Sequence, residues 1–138
     1  MNLYYKIWAD CIKKAQSQPR NKDDWKIYTL LFMSIAMTFN LIFLLFIFSE
    51  INIINTIPIL KINITGITYL DGFLRFFISY LLPFLLINYF LIFYKNRYIN
   101  ILQKNKYYNG RLFVVYFLGS IGILLIYFFI AFLIIKVL

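Results

Sequence analysis

The sequence contains no histidine, one cysteine and only five acidic residues among its 138 residues. Without histidine the chain lacks the commonest metal ligand in proteins and the usual general base near neutral pH. The single cysteine, Cys11, excludes a disulfide bond within the chain. A glycine-rich phosphate loop is also absent, and no serine or cysteine can pair with a histidine. These absences predict a protein that is not an enzyme and has no catalytic, cofactor-binding or metal-binding residues.

The acidic residues lie at the ends of predicted helices or in the connections between them: Asp10, Asp23, Asp24, Glu50 and Asp71. Asp23 and Asp24 could bind a metal together with phosphate, but two neighbouring carboxylates without further ligands are weak evidence for a metal site. Because aspartate is a favourable N-cap residue, we interpret this pair as capping the first long helix.

Apolar residues make up 63% of the sequence and charged residues 14%, which is the composition of a membrane protein. Three long runs are almost free of charge, and about 20 helical residues suffice to cross a bilayer core. Backbone groups in lipid must form hydrogen bonds within their own segment, which favours helices. We therefore predict an all-α membrane protein with three transmembrane helices. The predicted spans lie at about 27–49, 73–94 and 112–135.

No ionisable residue lies in the interior of a predicted span. Arg75 falls within the predicted limits of the second span, but it is near enough to the end for its side chain to reach the interface. Intramembrane ionisable groups are the usual mark of proton relays and ion pathways. Their absence argues against a transporter or pump unless a partner supplies the charges.

The basic residues are divided unequally between the two sides of the predicted spans. Eleven lie on one side: Lys6, Lys13, Lys14, Arg20, Lys22, Lys26, Lys95, Arg97, Lys104, Lys106 and Arg111. Three lie on the other side: Lys61, Arg75 and Lys136. Because lysine and arginine near span ends favour the cytoplasmic side, we predict a cytoplasmic N-terminus and an external C-terminus. The 51–72 loop would then be outside and the basic 95–111 loop inside.

Residues 1–22 are predicted to form a cytoplasmic amphipathic helix and linker, separate from a transmembrane domain at 23–138. Apolar residues recur at helical spacing from Leu3 to Ala15, with Lys6, Asp10, Lys13 and Lys14 on the other face. The helix is too short to span a bilayer. A face of tryptophan and isoleucine opposite lysines is typical of the membrane interface; the alternative is a helix docked on a partner.

The outer loop, 51–72, is rich in isoleucine although asparagine, proline and glycine interrupt it. A solvated loop would not normally expose so many isoleucines, so we expect it to lie on the membrane, cover the helix ends or contact a partner. Ile62–Thr65 indicates a short extended piece.

Polar and small residues form stripes on the predicted spans. Pro83 should kink the second span, because it removes one hydrogen bond and clashes with the carbonyl of Ser79. Asn40 and Asn88 should form hydrogen bonds across helices, or with a partner. Two glycines of the third span indicate close backbone approach, with a ligand groove as the alternative. The candidate packing or partner contacts are Ser34, Thr38, Asn40, Pro83, Asn88, Tyr116, Gly119, Ser120 and Gly122.

The basic residues of the inner side are candidate contacts for anionic lipids on the cytoplasmic surface. Basic residues interleaved with tyrosines also occur in nucleic-acid-binding proteins, but topology and lipid attraction are the preferred interpretation. The candidate lipid contacts are Lys13, Lys14, Lys95, Arg97, Lys104, Lys106 and Arg111.

Four short motifs resemble a group of small, uncharacterised bacterial inner-membrane proteins. They are YKIWADC (5–11), DDWK (23–26), INYFLIF (87–93) and YYNGRLF (107–113). The resemblance runs from Tyr5 to about Leu118 and implies the inner, or cytoplasmic, membrane of a bacterium, but no activity. Within the last motif, Asn109-Gly110 indicates a turn before the third span.

Three functions are compatible with this sequence. The leading hypothesis is a non-enzymatic membrane subunit or accessory protein that binds a larger membrane protein complex. The first alternative is an immunity protein that neutralises a membrane-active toxin. The second is a homo-oligomeric channel or small transporter.

Overall fold

Helices are the regular elements of the described part of the chain, which covers residues 2–18, 24–54, 58–61 and 65–137 of this computed structural model. In chain order they are α1 (Leu3–Ser17), α2 (Trp25–Glu50), α3 (Thr68–Phe76), α4 (Leu82–Asn88), α5 (Arg97–Lys104) and α6 (Arg111–Val137). Two π-helical turns, Phe77–Leu81 and Tyr89–Phe93, and a 3₁₀ turn at Tyr94–Asn96 join α3, α4 and α5. Three helical segments are long and apolar enough to cross a membrane, so the prediction of an all-α fold with three candidate spans is confirmed.

The second span begins at Thr68 instead of about residue 73, so the outer connection is shorter than predicted. The Asp71 carboxylate ties the preceding turn to the new helix by accepting hydrogen bonds from the Thr65 backbone amide and hydroxyl, at 2.9 and 2.8 Å. Part of the predicted extended piece, residues 62–64, lies outside the described residues. The neighbouring residues 58–61 contact the second span, because the Tyr80 hydroxyl donates a hydrogen bond to the Pro58 carbonyl at 2.6 Å.

Pro83 lies in the first turn of α4, directly after the π-helical turn Phe77–Leu81. Proline cannot donate to the carbonyl four residues earlier and would clash with it in a regular helix. The helix irregularity predicted at Pro83 is therefore a wider π turn, in which the Leu82 amide donates a hydrogen bond to the Phe77 carbonyl. The Thr38 hydroxyl of α2 also approaches the Tyr80 carbonyl at 3.4 Å.

The basic loop predicted at 95–111 contains the helix α5, which corrects that prediction. The chain leaves the second span through two consecutive left-handed residues, Lys95 at φ 52° and Asn96 at φ 56°. This reversal allows Arg97–Lys104 to form a short amphipathic helix whose Tyr98, Ile101 and Leu102 pack against the core. Sequence reasoning missed the helix because eight residues give little periodic signal.

The core forms where α1 meets the spans. Its buried residues are Ile7, Trp8, Cys11 and Ile12 of α1, Met33 of α2, and Ile92 and Phe93 at the end of the second span. Trp8 and Ile12 are 0% exposed. The helix predicted at the N-terminus is therefore present, but its apolar face packs against the chain's own helices instead of lying on lipid.

This cluster crosses the predicted boundary between residues 22 and 23. Trp8 packs edge-to-face on Phe93 with ring centroids 5.8 Å apart, and Trp25 contacts the same ring at 6.1 Å. Because α1 and the spans bury one another's aromatic residues, the two predicted domains form one packed unit.

Candidate functional site

The carboxylate of Asp10 accepts hydrogen bonds from four backbone amides. Its Oδ1 accepts hydrogen bonds from the backbone amides of Tyr108 and Gly110, at 2.8 and 3.0 Å. Its Oδ2 accepts from the amides of Leu112 and Phe113, at 2.9 and 3.4 Å. Asp10 is 0% exposed. A residue of α1 thus caps the N-terminus of α6, where free amides and the helix dipole favour a negative charge.

The turn before α6 explains why the cap comes from another helix. Asn109 and Gly110 are both left-handed, with φ of 56° and 79°, which turns successive amides toward one side. Gly110 directly precedes the helix and has no side chain that could cap it. The amides therefore require an external acceptor, and Asp10 provides it.

Two lysines predicted as lipid contacts lie against this turn. Lys13 Nζ donates to the Asn105 carbonyl at 2.8 Å, and Lys14 Nζ lies 3.4 Å from Asn109 Oδ1. A Cβ added at Gly110 would lie 2.9 Å from Lys14 Cγ. Lys14 thus contacts the turn itself, whereas Lys13 fastens α1 to Asn105 at the end of α5.

A second polar cluster joins three helices inside the bundle. The Tyr4 hydroxyl of α1 donates to Asn88 Oδ1 of α4 at 2.7 Å. The Asn88 amide nitrogen donates to Ser34 Oγ of α2 at 2.9 Å. Asn88 and Ser34 are fully buried. Since each partner satisfies a group that would otherwise be costly to bury, the cluster holds α1, α2 and α4 in one register.

Further candidate contact residues are also used within the chain. Asn40 Nδ2 of α2 donates to the Tyr116 hydroxyl of α6 at 3.1 Å. Thr38 and Ser120 are buried, and their hydroxyls bond the carbonyls of Ser34 and Tyr116 at 2.9 and 2.8 Å. The polar half of the first span is therefore covered by the protein's own helices.

Burial keeps two potential nucleophiles of α1 protonated. It raises the pKa of the Tyr4 hydroxyl to about 12. It also raises the pKa of the Cys11 thiol, and the neighbouring Asp10 charge raises it further. Both groups are therefore protonated near neutral pH. Among the described residues, no three His, Cys, Asp or Glu side chains lie together as a metal site would require.

The third candidate span, α6, is the least covered of the three in the described chain. Only 6% of the most apolar stretch of this span is buried, compared with 22% for each of the other two. One stripe of its surface, here called the α6 outer face, consists of five exposed residues and the half-buried Gly122: Val115, Leu118, Gly122, Leu125, Phe129 and Phe132. Their spacing alternates between three and four residues, as in the seam between two packed helices.

No other helix of the described chain closely approaches the glycines of α6. A Cβ added at Gly119 or Gly122 would meet nothing within 4 Å. Within the described chain α6 contacts α2 and α1 through other side chains, and a partner contact at these glycines stays a prediction. The space beside both glycines is open.

The remaining basic candidates form an exposed group at the end of the bundle where α1 lies. Its members are Lys95, Arg97, Lys104, Lys106 and Arg111. The hydrogen bonds of Asp10 and Lys13 bring α1 and the 95–110 segment together at this end. The described parts of both basic segments therefore lie at one end of the bundle, whereas Arg20 and Lys22 lie outside the described residues.

Sequence reasoning did not single out Asp10 or Tyr4 as site residues. Asp10 was assigned to the polar face of α1 because periodicity alone cannot show that another helix end needs an acceptor. The sequence offers one indication that α6 needs an acceptor from elsewhere: the helix follows the turn at Asn109-Gly110, and glycine has no side chain that could cap it.

No family model, curated protein or solved structure matches this chain.

Replacing Asp10 should destabilise the fold more than any other acidic substitution outside the spans. Asp10→Ala leaves amides at the start of α6 without an acceptor, and we expect it to lower the free energy of unfolding by about 3 kcal/mol. Denaturant titration in detergent micelles measures the change. Asp24→Ala is the matched control, because Asp24 is at the N-cap of α2 but forms no side-chain cap bond. Equal losses in the two variants would contradict the assignment.

Gly110→Ala should be more harmful than Gly66→Ala. Both glycines are left-handed, so each substitution costs about 1 kcal/mol of backbone strain. Only at Gly110 does the new methyl group meet Lys14, whereas nothing lies within 4 Å at Gly66. The difference between the two unfolding free energies therefore measures the crowding. Adding Lys14→Ala to Gly110→Ala should recover part of the loss; no recovery would refute the contact.

Proposed function

We propose that this chain is a non-enzymatic accessory subunit of a larger membrane protein complex, and that it binds its partner through the α6 outer face. The observation that carries the proposal is the heptad-like spacing of that face together with the empty space beside Gly119 and Gly122. Glycine allows a second helix to approach closely, and alternating spacing of three and four residues suits its side chains.

The hydrogen bonds within the chain reduce the number of surfaces to which a partner could bind. Ser34, Thr38 and Asn40 of the first span form hydrogen bonds within the chain, as does Asn88 of the second span, so these polar groups already have internal partners. Uncovered apolar surfaces include α6 and the start of the second span, where Tyr69 is 92% exposed. A partner helix on α6 would cover the span that is least buried within the described chain.

The proposed location is a bacterial inner membrane, with the N-terminus and α5 in the cytoplasm and the C-terminus outside. This orientation is supported by the grouping of both basic segments at one end of the bundle, because basic residues are retained on the cytoplasmic side.

Photocrosslinking tests the partner surface. A photoreactive amino acid at Leu118 or Leu125 should give several times more protein adduct than one at Ile123 or Ile130. The controls are matched because these four side chains are 59%, 61%, 47% and 50% exposed, but the controls lie off the α6 outer face. Mass spectrometry of the adduct identifies the partner.

Two outcomes would contradict this proposal. Equal adducts at all four positions, or adducts to lipid alone, would mean that no protein covers the face. An adduct between two copies of this chain would instead favour a homo-oligomer.

Labelling of engineered cysteines tests the orientation. In intact cells a membrane-impermeant maleimide should label Tyr69→Cys and should label Asn100→Cys only after permeabilisation, because the two exposed positions lie at opposite ends of the bundle. The unmodified chain is the background control, since its only cysteine is buried. The reverse pattern would overturn the orientation.

A further inference from the structure

A groove of about 440 Å³ lies between the start of α2 and the end of the second span. Its polar wall is formed by Lys26, Lys95 and Asn96. Its apolar wall is formed by Ile27, Leu30, Tyr89 and Phe93. The groove thus has a basic part at the membrane boundary and an apolar part within the spans.

Aromatic rings hold both lysines without neutralising them. Lys26 Nζ lies 5.6 Å from the Trp25 ring and 5.4 Å from the Tyr98 ring. Lys95 Nζ lies 5.5 Å from the Tyr94 ring. Such contacts position an ammonium group but leave its full charge available to an anion.

Two helix N-termini add to this positive potential. Lys26 and Ile27 belong to the first turn of α2, whose N-cap residue Asp24 forms no side-chain cap bond. Asn96 is the N-cap of α5 and likewise caps no amide with its side chain. The positive ends of both helix dipoles therefore lie at the basic part of the groove, together with the negative end of the second span at Phe93, so the two lysines supply the net positive charge there.

The apolar wall continues into surface that faces the membrane. Ile27 and Tyr89 are 59% and 48% exposed, and Leu86 and Phe90 of the second span are 51% and 53% exposed. A ligand that fits both parts carries a negative charge at one end and a hydrocarbon chain at the other.

We propose that this groove is a discrete binding site for one phospholipid with an anionic headgroup. The phosphate lies between Lys26 and Lys95, and one acyl chain follows Ile27, Leu30 and Tyr89 into the bilayer. This goes beyond a general attraction of basic residues to anionic lipid, because it assigns the site to two particular lysines. Lys104 and Lys106, which are equally basic and exposed, are excluded from it.

Native mass spectrometry of the detergent-solubilised protein tests the site. With phosphatidylglycerol and phosphatidylcholine supplied in equal amounts, the protein should retain one phosphatidylglycerol molecule. The double variant Lys26→Gln/Lys95→Gln should bind it on the order of tenfold more weakly, because each lysine near the membrane surface adds electrostatic attraction to the anionic headgroup. Circular dichroism melting verifies that the variant is folded.

The matched control is Lys104→Gln/Lys106→Gln, which removes the same charge from the same end of the protein and should bind phosphatidylglycerol as the wild type does. An equal loss in the control would show diffuse attraction and overturn the proposal, as would undiminished binding by the Lys26/Lys95 variant.

A second arm separates a lipid site from a phosphate site. Leu30→Trp fills the apolar part of the groove and leaves both lysines in place, so it should also weaken lipid binding. Glycerol phosphate, which has the headgroup chemistry without acyl chains, should not displace the lipid. Displacement by glycerol phosphate would identify an anion site and refute the assignment to a phospholipid.

Discussion

The fold depends on a buried carboxylate that must have hydrogen-bond donors and a buried helix end that must have an acceptor. Asp10 of α1 and the amides at the start of α6 satisfy each other, across about a hundred residues of sequence. Neither group could be buried alone without a large cost. Their pairing therefore fixes α1 against the third span, and it explains why α1 packs inside the protein instead of resting on lipid.

The other polar contacts extend this constraint through the bundle. The bond from Tyr4 to Asn88 and the bond from Asn88 to Ser34 set the rotation of α1, α4 and α2 relative to one another. In lipid, apolar side chains gain little by leaving the bilayer for a helix interface, so such bonds have a large part in deciding which faces meet. The polar residues of the spans are accordingly structural, and the surfaces left for recognition are apolar or basic.

Those surfaces differ in chemistry and position. The α6 outer face is apolar, belongs to a candidate membrane span and has open space beside Gly119 and Gly122. The groove at Lys26 and Lys95 is basic at one end and apolar at the other, which suits an amphiphile. A lipid in the groove and a protein on α6 would occupy different sides of the spans, so the two proposals do not compete.

The sequence by itself determined the helical class and the three candidate spans, because long uncharged runs follow directly from the thickness of a bilayer. It also indicated the irregularity at Pro83, which is a local property of proline. Only the tertiary structure decided the roles of Asp10, Asn88 and α5. The physical reason is that hydropathy and periodicity report each segment separately, whereas burial of a polar group depends on a donor or acceptor that a distant segment provides.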